Sequence, residues 1–513
     1  MRLSPWLLAA LLGFCLYLPT IGGTYIYDDQ FITHNDPRLT SPSQWSKFWT
    51  QSYYPNSQDR LYRPLSSMTY AIEWRLFGDR PWVFHLINIL LYAADCALVA
   101  ELARRLGGIA IAYFAGLLFA VHPVHVEAVA GLVGRSELLS TGAMLGAMIL
   151  ILERLTPTRI LWIALLFVLG LLCKEQAILL PIFVMGILGL KKVEERAPQA
   201  GRLNENQARK ILLLVLCWTD TAYLILREYS RMKLSWDPGL LDWTMQPLIR
   251  AVGINRWLVP FSVLGHYAML MFVPYKQSID YGYAVTNFVQ RFNDPFLWLG
   301  FAAALVGITA LAISLLKRSW LAFWCLLGIA LSYGMVSNFA SLIGTIMGER
   351  LMFLPSVFFC ILLGWIVWQS KSRWFLRLLS IAIVLGAART TVYASQWLNR
   401  LQFYQRQTVS NPRSERTWWL LAGELDREGR YAEAMAADQK MREIDPNYWV
   451  GWYYAAQIAL DQHQYTQAWD YLDRAWNCNP AGTLEITLLR QKIRDSGGLQ
   501  QEKIRHNAPS TNS

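Results

Sequence analysis

Arg2 precedes an uncharged stretch from Leu3 to Tyr27, and apolar runs then recur near 83–102, 106–121, 138–152, 160–173, 177–190, 211–226, 296–316, 320–337, 351–367 and 375–390. Each run predicts a helix facing lipid or the interior of a helix bundle. Several are shorter than the ~20 residues that a straight lipid-exposed span needs, so they extend into flanking residues or surround a cavity. The first run has the look of a signal peptide, but no clear small-x-small cleavage site follows it, and it reads as an uncleaved first span.

The charges between the runs predict topology. Arg104–Arg105, Glu153–Arg154 with Arg159, the stretch 191–210 (six basic and three acidic residues), Lys317–Arg318 and the stretch 371–377 should face the cytoplasm. With the N-terminus inside, spans one to seven obey this rule. The segment Trp257–Tyr275 decides the rest. If it crosses, every later basic loop falls outside. If it lies along the interface or re-enters, about eleven spans satisfy the rule and the C-terminus ends outside, which is the reading adopted.

Beyond Thr391 the apolar runs stop and charge rises. Pro412, Pro446 and Pro480 are spaced 34 apart, each preceded by Asn411, Asp445 or Asn479; Tyr431/Tyr465, Ala434/Ala468 and Trp418/Trp452 keep the same period. An aromatic in a first helix, small residues in a second and a closing proline at this period is the tetratricopeptide pattern. Two full repeats, 412–445 and 446–479, gain flanking helical material at 393–410 and 484–494. Residues 496–513 read as a disordered tail. The chain thus divides into a membrane domain over 1–390, with a first outer loop over 22–82, and a repeat domain over 391–495. Its fold class is all-α, a polytopic helical membrane domain followed by a short α-solenoid.

Composition narrows the class. Hydrophobic residues make up 54% of the 513 and charged residues 16%, against about 25% charged in soluble domains. Mean hydropathy is +0.25. Several soluble domains would need more charge than this. The balance of 47 basic against 36 acidic residues leaves +11, which in a membrane protein serves topology and headgroup attraction rather than nucleic-acid binding. The seven cysteines show no CxxC and no metal-type spacing, so no structural disulfide is implied.

Four polar clusters fall on the outer side in this topology. Tyr27-Asp28-Asp29 heads the first outer loop; paired carboxylates there suit a general base or a cation ligand, or form an ordinary loop start with an interfacial tyrosine. In the same loop Trp45, Phe48 and Trp49 suggest an interfacial helix, and Arg63 suits a phosphate or a headgroup. The second cluster joins His122, His125 and Glu127 to Arg135 in Gly134-Arg135-Ser136-Glu137. Its histidines suit orienting hydrogen bonds better than metal, because a third strong ligand is missing. Arg135 reads equally as a phosphate clamp or a snorkelling cation. Lys174-Glu175-Gln176 is a polar island in an apolar stretch, either used or a watered tight turn. Glu349-Arg350 is either an ion pair or a phosphate holder. Asp95 and Asp220 lie within apolar runs and should be protonated or partnered, as polar packing groups ahead of a proton relay.

Together these residues resemble the transmembrane and tetratricopeptide repeat-containing O-mannosyltransferases. The resemblance runs through Tyr27-Asp28-Asp29, Asn35-Asp36, Tyr62-Arg63-Pro64-Leu65, the stretch 122–130, Gly134 to Leu139, Lys174-Glu175-Gln176, Pro274 with Ser278-Ile279-Asp280-Tyr281, and Glu349 to Ser356. It implies a GT-C glycosyltransferase in which a polyprenyl-phosphate sugar is the donor and the first outer loop carries the catalytic carboxylate. Carried over, Asp28 and Asp29 match the acidic pair, with Asp28 preferred as base. Arg63, Arg135, Lys174 and Arg350 become donor-phosphate candidates, and His122, His125, Glu127, Glu175, Asp280, Tyr281 and Glu349 supporting residues. No metal is required, though a divalent cation is compatible with the aspartate pair.

The expected acceptor is a protein hydroxyl, with the repeats offering a surface to it or to a partner. The short repeat array and the absence of a retention signal favour a bacterial inner membrane with periplasmic repeats over an endoplasmic reticulum with luminal ones. Two alternatives remain: the same donor with a lipid or polysaccharide acceptor, and a non-catalytic transporter or scaffold in which Asp95 and Asp220 matter and Asp28 does not.

Overall fold

The computed structural model describes residues 4–54, 61–190, 205–232, 243–285, 292–479 and 484–495, and among them every regular element is a helix. The chain separates into two compact units. One holds residues up to Ile279 together with Phe288–Asn399; the other holds Asp280–Asn287 and everything from Arg400.

The first unit contains α1 (Pro5–Tyr17), α2 (Pro37–Thr40), α3 (Pro64–Phe77), α4 (Pro81–Gly107), α5 (Ile109–Val121), α6 (Val126–Ala130), α7 (Arg135–Ile151), α8 (Pro157–Cys173), α9 (Leu180–Leu190), α10 (Glu205–Met232), α11 (Asn255–Phe272), α12 (Pro295–Leu316), α13 (Trp320–Gly334), α14 (Phe353–Ser370) and α15 (Arg373–Ala394). Many begin on proline, whose fixed φ suits the first helical position and whose missing N–H costs nothing there. The protein is a multi-pass membrane protein. Among the described residues five helical stretches are long and apolar enough to cross: Pro5–Gly22, Pro81–Gly107, Pro295–Leu316, Glu349–Ser370 and Arg373–Leu398. Ile109–Val121 and Pro123–Ala130, bent by 51° where Pro123 interrupts, add a sixth if counted as one span. Pro157–Cys173, Glu175–Leu190 and Trp320–Gly334 are apolar but shorter.

Against about eleven spans expected from apolar runs, five or six stretches among the described residues meet this length and composition. The run at 211–226 lies inside α10, which carries charges at both ends and Asp220 within it. Most of the segment 257–275, expected to lie along the interface or to re-enter, forms α11, packed lengthwise on α12. Gly265 meets Phe296 and Gly300 meets Phe261, an antiparallel register in which added methyls would collide with backbone carbonyls. Small residues allow this close approach. The same device joins α1, α4 and α5, where a methyl on Gly116 would stand 2.7 Å from the Ala100 Cβ and 3.1 Å from that of Ala9.

The second unit contains α16 (Arg400–Ser410), α17 (Glu415–Arg427), α18 (Tyr431–Ile444), α19 (Trp449–Asp461), α20 (Tyr465–Cys478) and α21 (Leu484–Asp495). The hairpin α17–α18 recurs as α19–α20. Ala434 and Ala468 are both fully buried, and the indoles of Trp418 and Trp452 each donate to the carbonyl of the residue six before, Pro412 and Pro446, at 2.9 Å. The unit begins at Arg400 rather than 391, because the last apolar helix continues through Ala394 and one further turn to Leu398. The expected tail at 496–513 lies outside the described residues.

Candidate active site

The first loop is a small folded layer of its own. Tyr25, Ile32, Leu39, Phe48, Tyr53, Tyr70, Phe84 and Leu132 form its core. The predicted helical turn with Trp45, Phe48 and Trp49 spans Pro42–Trp49, burying Phe48 and leaving Trp49 exposed. Buried Arg38 pairs with Asp36 at 2.7 Å and donates to the carbonyls of Ser52 (2.8 Å) and Tyr53 (2.9 Å), which fixes the Tyr53–Tyr54 segment.

At the head of the loop Tyr27 adopts φ +60°, a left-handed backbone uncommon for a residue with a side chain. The two aspartates that follow have different environments. Asp29 is fully buried, accepting from the Val133 amide (2.8 Å) and the Ile26 amide (3.4 Å). Burial pushes its carboxyl up to about 7, against the pull of the Val133, Leu132 and Ile26 amides and with a further push from Asp28. Asp29 is an anchor between loop and bundle. Asp28 keeps 11% of its side chain exposed. Its Oδ2 accepts from the Tyr54 hydroxyl (3.0 Å) and from Arg350 Nη2 (3.1 Å), while among the described residues Oδ1 has no hydrogen-bond donor. Burial, then the Asp28 charge, holds the Tyr54 hydroxyl well above the usual tyrosine range, so it stays a donor.

Arg350 links three elements. Besides Asp28 it sits 3.5 Å from Glu127 Oε1, and its amide donates to Glu127 Oε2 at 2.9 Å. Neighbouring Glu349 turns inward, accepting from the Ser278 amide (2.8 Å) and Gln277 Nε2 (3.0 Å), and so clamps the segment after α11. Arg63 pairs with Glu175 at 3.0 Å and lies over the Tyr53 ring at 5.3 Å. Lys174 pairs with Glu137 and is within electrostatic reach of Arg63, Arg350 and Glu127. Residues from five distant stretches of sequence therefore converge: Asp28, Arg63, Glu127, Lys174–Glu175 and Arg350. Such a site offers one carboxylate oxygen open to a hydroxyl proton, and cations that can exchange protein carboxylates for a phosphate.

The other predicted residues lie elsewhere. Arg135 is fully buried beneath the loop. It pairs with Glu73, donates to Asn88 Oδ1 (2.8 Å) and the Phe84 carbonyl (3.0 Å), and lies 4.4 Å from the Tyr70 ring centre. Its charge is spent on fastening α3, α4 and α7 together. His122 bonds the Met271 carbonyl at 3.0 Å, and His125 bonds Tyr92 (2.9 Å) and Ser356 (2.7 Å), as hydrogen-bonding rather than metal-binding groups. No grouping of three or more metal-type ligands occurs among the described residues. Asp280 and Tyr281 belong with the second unit, where Asp280 accepts from the Ser414 hydroxyl at 2.7 Å and its carbonyl from Asn411 at 2.9 Å. Asp95 is buried on α4 against Gly142 of α7, with Oδ2 unpaired among the described residues.

Tyr54 and Glu73 are not among the residues that the sequence singles out. Glu137 was visible inside the Gly134–Glu137 motif, but Tyr54 sits in an irregular segment with no periodicity to mark it.

Residues 63–203 match the family model described as dolichyl-phosphate-mannose-protein mannosyltransferase. A protein O-mannosyl-transferase of Caenorhabditis elegans is 27% identical over 84% of this chain. Protein O-mannosyl-transferase Tmtc1 of Drosophila melanogaster is 28% identical over 82% of it. Over most of its length, then, the chain is similar to protein O-mannosyl-transferases. It spans 61% and 59% of the lengths of those two relatives. The human family member TMTC2 is 34% identical over 137 residues, which cover 26% of this chain and 16% of the relative.

Proposed function

We propose that the protein is a membrane glycosyltransferase of GT-C type that moves a sugar, mannose as in the names of its relatives, from a polyprenyl-phosphate donor to a hydroxyl of a protein acceptor. The observation that carries this reading is the Asp28 carboxylate, held through Oδ2 by Tyr54 and Arg350 with Oδ1 left open. The acceptor hydroxyl gives its proton to Asp28 as its oxygen bonds to the anomeric carbon. The bond from that carbon to the phosphate oxygen breaks, and the leaving polyprenyl phosphate takes the electron pair. Arg350, Arg63 and Lys174 neutralise it, drawn from Glu127, Glu175 and Glu137. Arginine suits this exchange because its planar fork matches phosphate as well as carboxylate.

Transfer in this scheme asks for no metal, so chelation with EDTA leaves the rate unchanged. The reaction belongs on the non-cytoplasmic face, with the helical repeats on that side presenting a surface to a polypeptide.

The test is transfer of label from radiolabelled polyprenyl-phosphate-mannose in membranes carrying the full chain, with protein, lipid and glycan products separated. Label in protein supports the assignment. Enzyme-dependent label confined to lipid or polysaccharide would replace the acceptor class, and none at all would remove the transferase reading.

A further inference from the structure

At the opposite end of α4 from Asn88, which contacts Arg135, a cavity of about 650 Å³ opens among Arg104, Arg105, Leu106, Leu152, Glu153, Leu190 and Leu321. At 1.5 Å per residue along α4, the cavity is roughly 24 Å from the Asn88 level, on the scale of the hydrocarbon thickness of a leaflet pair. It is thus remote from Asp28 and belongs to the other membrane face.

Its charges form a cation-rich chain. Arg104 spends Nε and Nη2 on Glu101 (2.7 and 2.8 Å). Arg105 spends Nε on Glu101 (2.6 Å) and Nη1 on Glu153 (2.7 Å), and Arg159 pairs with Glu153 at 2.6 Å. Among the described residues three guanidinium groups share these two carboxylates. Among the described residues Arg104 Nη1 and Arg105 Nη2 have no acceptor. Arg104 is held on Glu101 and Arg105 on both Glu101 and Glu153, each with one terminal nitrogen unspent among the described residues, an arrangement that suits phosphate oxygens. Four leucines from separate elements supply the rest of the lining, which a free anion would not use but an acyl-glycerol would.

We infer that this cavity is a binding site for the phosphate headgroup of an anionic phospholipid, held by Arg104 and Arg105 with its glycerol and first acyl carbons against the leucines. The occupant cross-ties α4, α7, α9 and the start of α13, and so stabilises the bundle from the face opposite the proposed active site.

The experiment places the full-length protein in nanodiscs of phosphatidylcholine alone or with one-third phosphatidylglycerol, and follows thermal unfolding together with lipids retained in native mass spectrometry. The expected result is a rise in Tm of several degrees with phosphatidylglycerol and retention of at least one such lipid, both lost in Arg104→Gln/Arg105→Gln and kept in Lys317→Gln, a change at an exposed cation that is not part of the cavity lining. If the double variant does not fold, Arg104→Gln alone still reads the site, through weaker retention than wild type. Equal retention in wild type and variant would overturn the inference. So would equal stabilisation by millimolar inorganic phosphate in phosphatidylcholine discs, because the leucines would then have no role.

Discussion

Asp28 and Asp29 are neighbours in sequence and opposites in environment. One keeps a tenth of its side chain exposed and is held by a tyrosine and an arginine; the other is sealed among backbone amides. For Asp28→Asn, loss of the base should reduce transfer by about 10²–10⁴-fold, measured with saturating donor. Asp29→Asn should act on stability instead. Its carboxyl rises from about 3.8 to about 7 on folding, so the folded state retains a proton that the unfolded state releases. The associated stabilisation is fully present below pH 4 and declines as pH rises to 7, by on the order of 4 kcal/mol. Denaturation of wild type and Asp29→Asn at pH 4, 5.5 and 7 checks this: asparagine should flatten the slope, and a parallel pH dependence would contradict the assignment. Arg135 offers a second contrast. Glu73→Gln leaves that buried guanidinium uncompensated and should destabilise the first unit by about 3–5 kcal/mol, read as a lower midpoint in denaturant. If Arg135 instead served a donor phosphate, the same change would spare stability and raise the donor KM.

Among the elements, helix existence was legible and helix role less so. Apolar runs located most membrane helices, and the 34-residue period located both hairpins of the second unit, because each signal is local in sequence. What sequence did not reveal was partnership. Arg63 was recognised as a cation but not as Glu175's partner across 112 positions, and Arg135 and Lys174 were grouped although one is sealed under the loop and the other borders the site. Asp280 was assigned to the site by proximity to a matching motif, while its side chain caps the Ser414 turn of the other unit. No periodicity encodes these choices; tertiary packing makes them. At this scale α11 and α12 give a direct test. Gly265→Leu forces a side chain into the Phe296 carbonyl and should separate the pair, lowering Tm by several degrees, whereas Gly307→Leu on the same α12, with open space around it, should change little.

For the whole molecule, the proposed site lies in the first unit, at the junction of the first loop with the segments opening α7, α9 and α14, and the matched residues 63–203 hold its Arg63, Glu127, Lys174 and Glu175. Spans differ in enclosure: Glu349–Ser370, which begins with the site's Glu349–Arg350 pair, is 72% buried over its apolar window, whereas Pro295–Leu316 and Arg373–Leu398 are each only 11% buried. A lipid-linked donor fits this arrangement, since its chain needs lipid access while its phosphate needs the cations gathered inside. The decisive measurement is mannosyl transfer by the purified full chain in proteoliposomes, from polyprenyl-phosphate-mannose to a protein acceptor identified in the membrane assay, comparing wild type with Asp28→Asn. The account predicts robust transfer by wild type and a loss of at least about a hundredfold in the variant at unchanged donor KM; wild-type and variant rates within a few-fold of each other would contradict it.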